Sequence, residues 1–157
     1  MNKTNYKALI FEIKALIEGV SYPITNYANV SAAIFHAMPN INWAGFYLME
    51  GDTLILGPFQ GKPARVSIPL GKGVCGTFMK DKKSLIVDNT HVFPGHITCD
   101  SDSRSEIVIP LFKNDNSIGV LDIDSPLLER FDDNDKYNLE KNRFNTDQYT
   151  LIRFKYP

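Results

Sequence analysis

A chain of 157 residues, 43% hydrophobic and 22% charged, has room for one domain with a substantial core. Its formal net charge of −1 leaves no electrostatic footprint for nucleic acid and no basic run for an anionic membrane. Lys7, Glu12, Lys14 and Glu18 interrupt the N-terminal apolar runs, so no secretory leader or spanning segment is expected, and two cysteines without a leader point to a reducing cytosol.

In chain order, Tyr6, Leu9, Ile10, Ile13, Leu16, Ile17 and Val20 recur with helical spacing, and Thr4 is a candidate N-cap. Pro23 opens a second helix whose face carries Tyr27, Val30, Ile34, Ala37 and Met38, and Pro39 stops it. The period then changes. "INWAGFYLM" and "DTLILG" are apolar and β-prone, and Glu50-Gly51 joins them as a hairpin. "ARVSIPL" alternates, with Val66, Ile68 and Leu70 expected inward. "GKGVCGTFMKD" reads as a Gly-rich turn entering a short helix with Cys75 in its first turn. "SLIVDN" is a short strand, and "SEIVIPLFK" with "SIGVLDIDS" forms a second hairpin across Asn114-Asp115-Asn116. Asp132 or Asp133 caps a last helix. Helices at both ends of a run of antiparallel strands make this an α+β chain, with one sheet and its helices expected on one side.

Two thiols and three carboxylates carry the chemistry. Cys75 at a helix N-terminus would have backbone N–H groups and the dipole to favour a thiolate, although Val-Cys-Gly is equally good packing. Cys99 lies in a polar Thr-Cys-Asp-Ser loop, which is no core and favours chemistry. His91, His96, Cys99 and Asp100 are close enough in sequence to suggest a metal, but they lack the paired spacing of a zinc knuckle or helix site. Asp122 and Asp124, two residues apart in an apolar strand, share a face. Glu106 opens the neighbouring strand and can join them across the pair. Such carboxylates are either a solvated outer face or a site that needs them. Trp43 and Tyr47 alternate on the first strand, as core or as an aromatic wall for a cationic or soft apolar group.

The blocks "NWAGFYL", "LGPFQGKPA", "IPLGKGVCGT", "HVFPGHITCDSDSRSEIVIPL" and "GVLDIDSPLLERFD" together resemble the free methionine-(R)-sulfoxide reductases, enzymes built on a GAF domain. The likeness spans about residues 1–140 as one domain, with 141–157 as a divergent C-terminal tail. It implies a six-stranded antiparallel sheet flanked by helices, with a small closed pocket. The implied reaction reduces free L-methionine (R)-sulfoxide to methionine, with electrons from thioredoxin and no cofactor. By the same resemblance Cys99 is the attacking cysteine and Cys75 a second family cysteine. Glu106, Asp122 and Asp124 match the pocket carboxylates, and Trp43 and Tyr47 the aromatic wall.

Two departures stand out. The family usually reads Pro-Ala-Cys where this chain has Pro63-Ala64-Arg65, so a cysteine that often resolves the sulfenic acid is missing. Cys75 then becomes the one other thiol in the chain, and its expected setting makes it the favoured resolver. In addition, "NRFNTDQYTLIRFKYP" lacks a helical stripe, so a weakened final helix is expected. Two further classes fit the same residues. A GAF-type sensor would bind a small ligand without chemistry, and an interaction domain would use the N-terminal helix, which could also pack on a second subunit.

Overall fold

The computed structural model of the chain describes residues 3–81, 83–93, 100–114 and 116–141. The expected weak helix in the tail and the segment carrying His96 and Cys99 lie outside them. Helix α1 spans Tyr6–Ile17; its cap is Asn5, not Thr4, with the Asn5 side chain accepting from the Ala8 N–H. Helix α2, Pro23–Ala37, starts on a proline at its first turn, where the missing N–H has no helical partner to lose. Helix α4, Asp133–Lys141, follows Asp132, whose carboxylate accepts from the Asp135 N–H at 2.9 Å. Asp135 returns the favour at 3.1 Å to the Asp132 N–H, so the two satisfy each other's free donors.

Among the described residues six strands form one antiparallel sheet in the order β3-β2-β1-β6-β5-β4. They are β1 Trp43–Glu50, β2 Thr53–Gly61, β3 Ser67–Pro69, β4 Leu85–Val87, β5 Ser105–Lys113 and β6 Asn116–Ser125. The hairpins β1–β2 and β5–β6 meet in the middle, because β1 pairs with β6. The "GVLDID" strand is therefore central, as its apolar neighbours suggest.

The period of two sorts the sheet into two buried faces. Ala44, Phe46, Ile107, Ile109, Leu121 and Ile123 pack with Leu9 and Ile13 of α1, Val30 and Ile34 of α2, and Leu139 of α4. Trp43, Tyr47, Val108 and Val120 point the other way, onto Leu54, Ile68 and the Val74, Cys75 and Met79 side chains of helix α3, Gly73–Asp81. Both faces are thus covered, which corrects the expectation of helices on one side. The strand around residue 67 is also shorter than its alternation suggests. Ile68 is buried, but Val66, which precedes the three residues of β3, is 74% exposed although its carbonyl still accepts from the Leu56 N–H of β2 at 2.9 Å.

A buried ion pair ties the two ends of the chain's first face together. Arg130 lies 3.0 Å from Asp135, and the Tyr6 hydroxyl donates to the same carboxylate at 2.6 Å. Burial, followed by that hydrogen bond and the Asp135 charge, holds the Tyr6 phenol well above its usual range.

Candidate active site

The second face carries the polar residues. Cross-strand register places Asp124 of β6 opposite Glu106 of β5 on one side and opposite Trp43 of β1 on the other. One step along the strand, Asp122 faces Val108 and Gly45, and the next step is Tyr47, Val120 and Pro110. Three strands from two distant hairpins therefore align an aromatic and two carboxyl groups in a single row. Helix α3 closes over the row, and its Cys75 thiol donates to Glu106 Oε1 at 3.5 Å.

Gly45 explains how the aromatic part fits. Trp43 stacks on Phe59 at 5.3 Å between ring centroids and on Tyr47 at 6.0 Å. A Cβ on Gly45 would sit 2.3 Å from the Phe59 Cβ and 2.7 Å from the Trp43 ring, so only a bare α-carbon lets the wall close. Phe59 is a wall residue that sequence reasoning missed; a β2 ending at "LILG" stops two residues short of it, and only the cross-strand pairing with Gly45 reveals it. The Trp43 indole donates to the Lys62 carbonyl at 3.1 Å, and the Tyr47 hydroxyl donates to the Arg65 carbonyl at 3.1 Å. Both rings are buried. Gly45→Ala is expected to destabilise the fold by about 1–3 kcal/mol, because the clash falls partly on Phe59 backbone. Urea unfolding reads this directly.

The carboxylates are expensive where they stand. Glu106 and Asp122 are buried, and Asp124 is partly exposed. Burial, then the charges of Asp122 and Asp124, hold Glu106 protonated well above the usual carboxylate range. Burial and the charges of Asp122 and Asp100 do the same to Asp124. Asp122 is pushed up to about 6 by burial, and hydrogen bonds from Cys75, Glu106 and the Ile123 backbone restrain the rise. A hydrogen bond joins the Glu106 and Asp122 carboxyl groups, so one proton serves the pair and the two titrate together. Asp122 Oδ1 is buried with no hydrogen-bond partner among the described residues. Among the described residues it is an acceptor without a donor, and such an atom costs free energy until something supplies one.

Cys75 does not behave as its helix position suggests. Its side chain is 3% exposed, and burial with the Asp122 and Glu106 charges pushes the thiol well above its usual range. Two adjacent carboxyl groups outweigh one helix terminus, and the expected thiolate is replaced by a bound proton. Cys75 Sγ, a Glu106 oxygen and an Asp122 oxygen also lie within 4.8 Å of one another, the one such metal-ligand grouping among the described residues. Any cation there would have to displace the protons these groups hold. Of the other metal candidates, His91 engages the Ser103 carbonyl through Nε2 at 3.0 Å, and His96 lies outside the described residues.

Residues 20–141 match the GAF domain family. A free methionine-R-sulfoxide reductase of Escherichia coli is 49% identical over 142 residues, covering 90% of this chain and 86% of that protein. One from Saccharomyces cerevisiae is 46% identical, covering 85% and 78%. The structure of fRMsr of Staphylococcus aureus in complex with substrate superposes with a TM-score of 0.89 at 50% identity, covering 94% of this chain and 97% of that one. The chain belongs to the free methionine-R-sulfoxide reductase family. Within this family the fold is the GAF sheet described above, and its two faces have separate work. The α1, α2 and α4 face is apolar, and the α3 face holds the carboxyl row. Arg65, where the family usually has a cysteine, is exposed, and its carbonyl accepts from the Tyr47 hydroxyl. Among the described residues no helix is long and apolar enough to cross a membrane.

Proposed function

We propose that this chain reduces free L-methionine (R)-sulfoxide to L-methionine, with Cys99 as nucleophile and thioredoxin as reductant. The row Trp43–Asp124–Glu106 carries the reading. A thiolate attacking the sulfoxide sulfur needs a proton delivered to the sulfoxide oxygen, and a buried carboxylic acid kept neutral at physiological pH supplies one. Glu106 fits that role, and Asp124 shares its raised proton affinity. Asp122, with its unpartnered oxygen, is suited to the ammonium of a free amino acid. Trp43, Tyr47 and Phe59 offer apolar cover for the S-methyl group.

In net terms the oxygen leaves the substrate sulfur and ends on Cys99 as a sulfenic acid, with methionine released. The thioredoxin dithiol then returns Cys99 to the thiol, forming a disulfide and one water. Cys75 is the other thiol of the chain, and its burial and bound proton support a hydrogen-bonding role toward Glu106 rather than resolution. Cys75→Ser is accordingly expected to release the first methionine normally and to keep thioredoxin-driven turnover near the wild-type rate. Slowed recycling, together with a Cys75–Cys99 disulfide found by peptide mapping after one turnover without reductant, would assign resolution to Cys75.

The test of the function is NADPH oxidation coupled through thioredoxin reductase and thioredoxin. Turnover is expected with the free (R) epimer and not with the (S) epimer or a peptide-bound sulfoxide. Ligand binding with no turnover of any sulfoxide would favour a GAF-type sensor instead.

A further inference from the structure

We infer that Lys62 is a positioning residue of this site that acts through Asp100, pairing with its carboxylate and offsetting that charge beside the carboxyl cluster. The assignment builds on the proposed reductase activity but is carried by its own geometry. Lys62 directly follows β2, and its carbonyl is fixed by the Trp43 indole at 3.1 Å. Its ammonium lies 3.2 Å from the Asp100 carboxylate and 2.6 Å from that of Asp102. The contacts span 38 and 40 residues of sequence and join the end of the aromatic wall to the turn that leads into β5.

The pair is lopsided in a way that matters. The Lys62 side chain is 61% exposed, whereas that of Asp100 is 10% exposed. Asp100 is therefore turned inward, and its Oδ1 also accepts from the Asp102 N–H at 2.9 Å. The Ser103 N–H donates to the Asp100 carbonyl, the Asn42 side chain donates to Ser103 Oγ at 3.1 Å, and the Asn42 N–H donates to the Asp124 carbonyl at 3.0 Å. Asp100 is thus stitched to the same strand ends that carry the row, and its negative charge reaches Asp124. Among the described residues the other charged or titratable groups around Asp124 are Asp122 on β6, Glu106 on β5 and Cys75 on α3, while its β1 neighbour Trp43 carries no charge. All of these groups are acidic. Among the described residues Lys62 is the cation ion-paired into this set, and it offsets the Asp100 charge that would otherwise act on Asp124 at full strength.

The substitutions Lys62→Met and Asp100→Asn separate this role from simple support. For an exposed ion pair Lys62→Met is expected to lower kcat/KM roughly two- to fivefold at low salt, with the difference fading as salt rises. Removing Lys62 leaves the Asp100 charge unopposed, so Asp124 holds its proton to higher pH and the alkaline limb of the rate profile moves up. Asp100→Asn removes the charge itself, and the limb moves down. Lys62→Arg restores both rate and limb. Carbon-13 carboxyl NMR of Asp124 in the same three variants reads the opposed shifts without turnover. If the wild-type enzyme reduces no sulfoxide but the opposed NMR shifts are seen, the reductase reading fails and the Lys62 assignment stands. If the Asp124 titration is unmoved in both Lys62→Met and Asp100→Asn, or moves the same way in both, the assignment is overturned.

Discussion

Glu106→Gln is expected to reduce turnover of the free (R) epimer by roughly 10²- to 10⁴-fold, the range for removing a general acid. The amide keeps the size and one donor of the protonated carboxyl group, so the fold is retained while the transferable proton is lost. Asp122→Asn is expected to do something less usual, namely lose activity and gain stability at neutral and alkaline pH. The Asp122 carboxyl is pushed up to about 6 in the fold, from an ordinary value near 3.8. A group with a raised carboxyl pKa makes its full contribution to stability below its unfolded pKa, and that contribution is lost as pH rises through the folded value. Above pH of about 6 the whole penalty is present, on the order of 2–3 kcal/mol. Asn carries no such penalty. Its Tm is expected to exceed that of the wild type by several degrees at pH 8, with the gap closing near pH 4. A gap that does not change between those two pH values, or an Asn variant less stable than wild type at pH 8, would show that the carboxylate is not held against its preference.

Cys99→Ser is expected to abolish sulfoxide reduction altogether, since no other thiol can replace it as nucleophile. Cys75 is buried and proton-bound, and Arg65 stands where the family's third cysteine usually lies. The measurement is single-turnover release of methionine from the free (R) epimer, which bypasses the recycling step. Substrate binding is expected to survive, because the groups that would hold the ammonium and the S-methyl are on β1, β2 and β6. Retained methionine release would refute the mechanism, whereas loss of both binding and release would point to a folding defect. Reading binding and chemistry on one variant therefore keeps the two causes apart.

The same residues mark how far the linear chain can be read. The helical spacing in α1 and α2, Pro23 and Pro39, the hairpin turns and the spacing of Asp122 and Asp124 are local signals, because backbone period and turn chemistry act over a few residues. From them follow the element order, the central place of the "GVLDID" strand and the shared face of its two carboxylates. The resemblance in five long blocks added the family and named the residues to watch. Tertiary structure decided everything that depends on residues distant in sequence. The row of Trp43, Asp124 and Glu106 exists only because β1 and β5 pair with opposite edges of β6. Helix α3 crosses to the second face although nothing in "GVCGTFMKD" says which face it will cover. Cys75 reversed its expected character for the same reason. A helix terminus is visible in sequence, but the Glu106 carboxyl 3.5 Å from its sulfur is not. Proton affinity, like the reach of Lys62 to Asp100 across 38 positions, is a sum over neighbours in space. A chain can announce which residues are acidic, cationic or nucleophilic, but only the folded sheet sets what each of them faces, and therefore which of them keeps its proton.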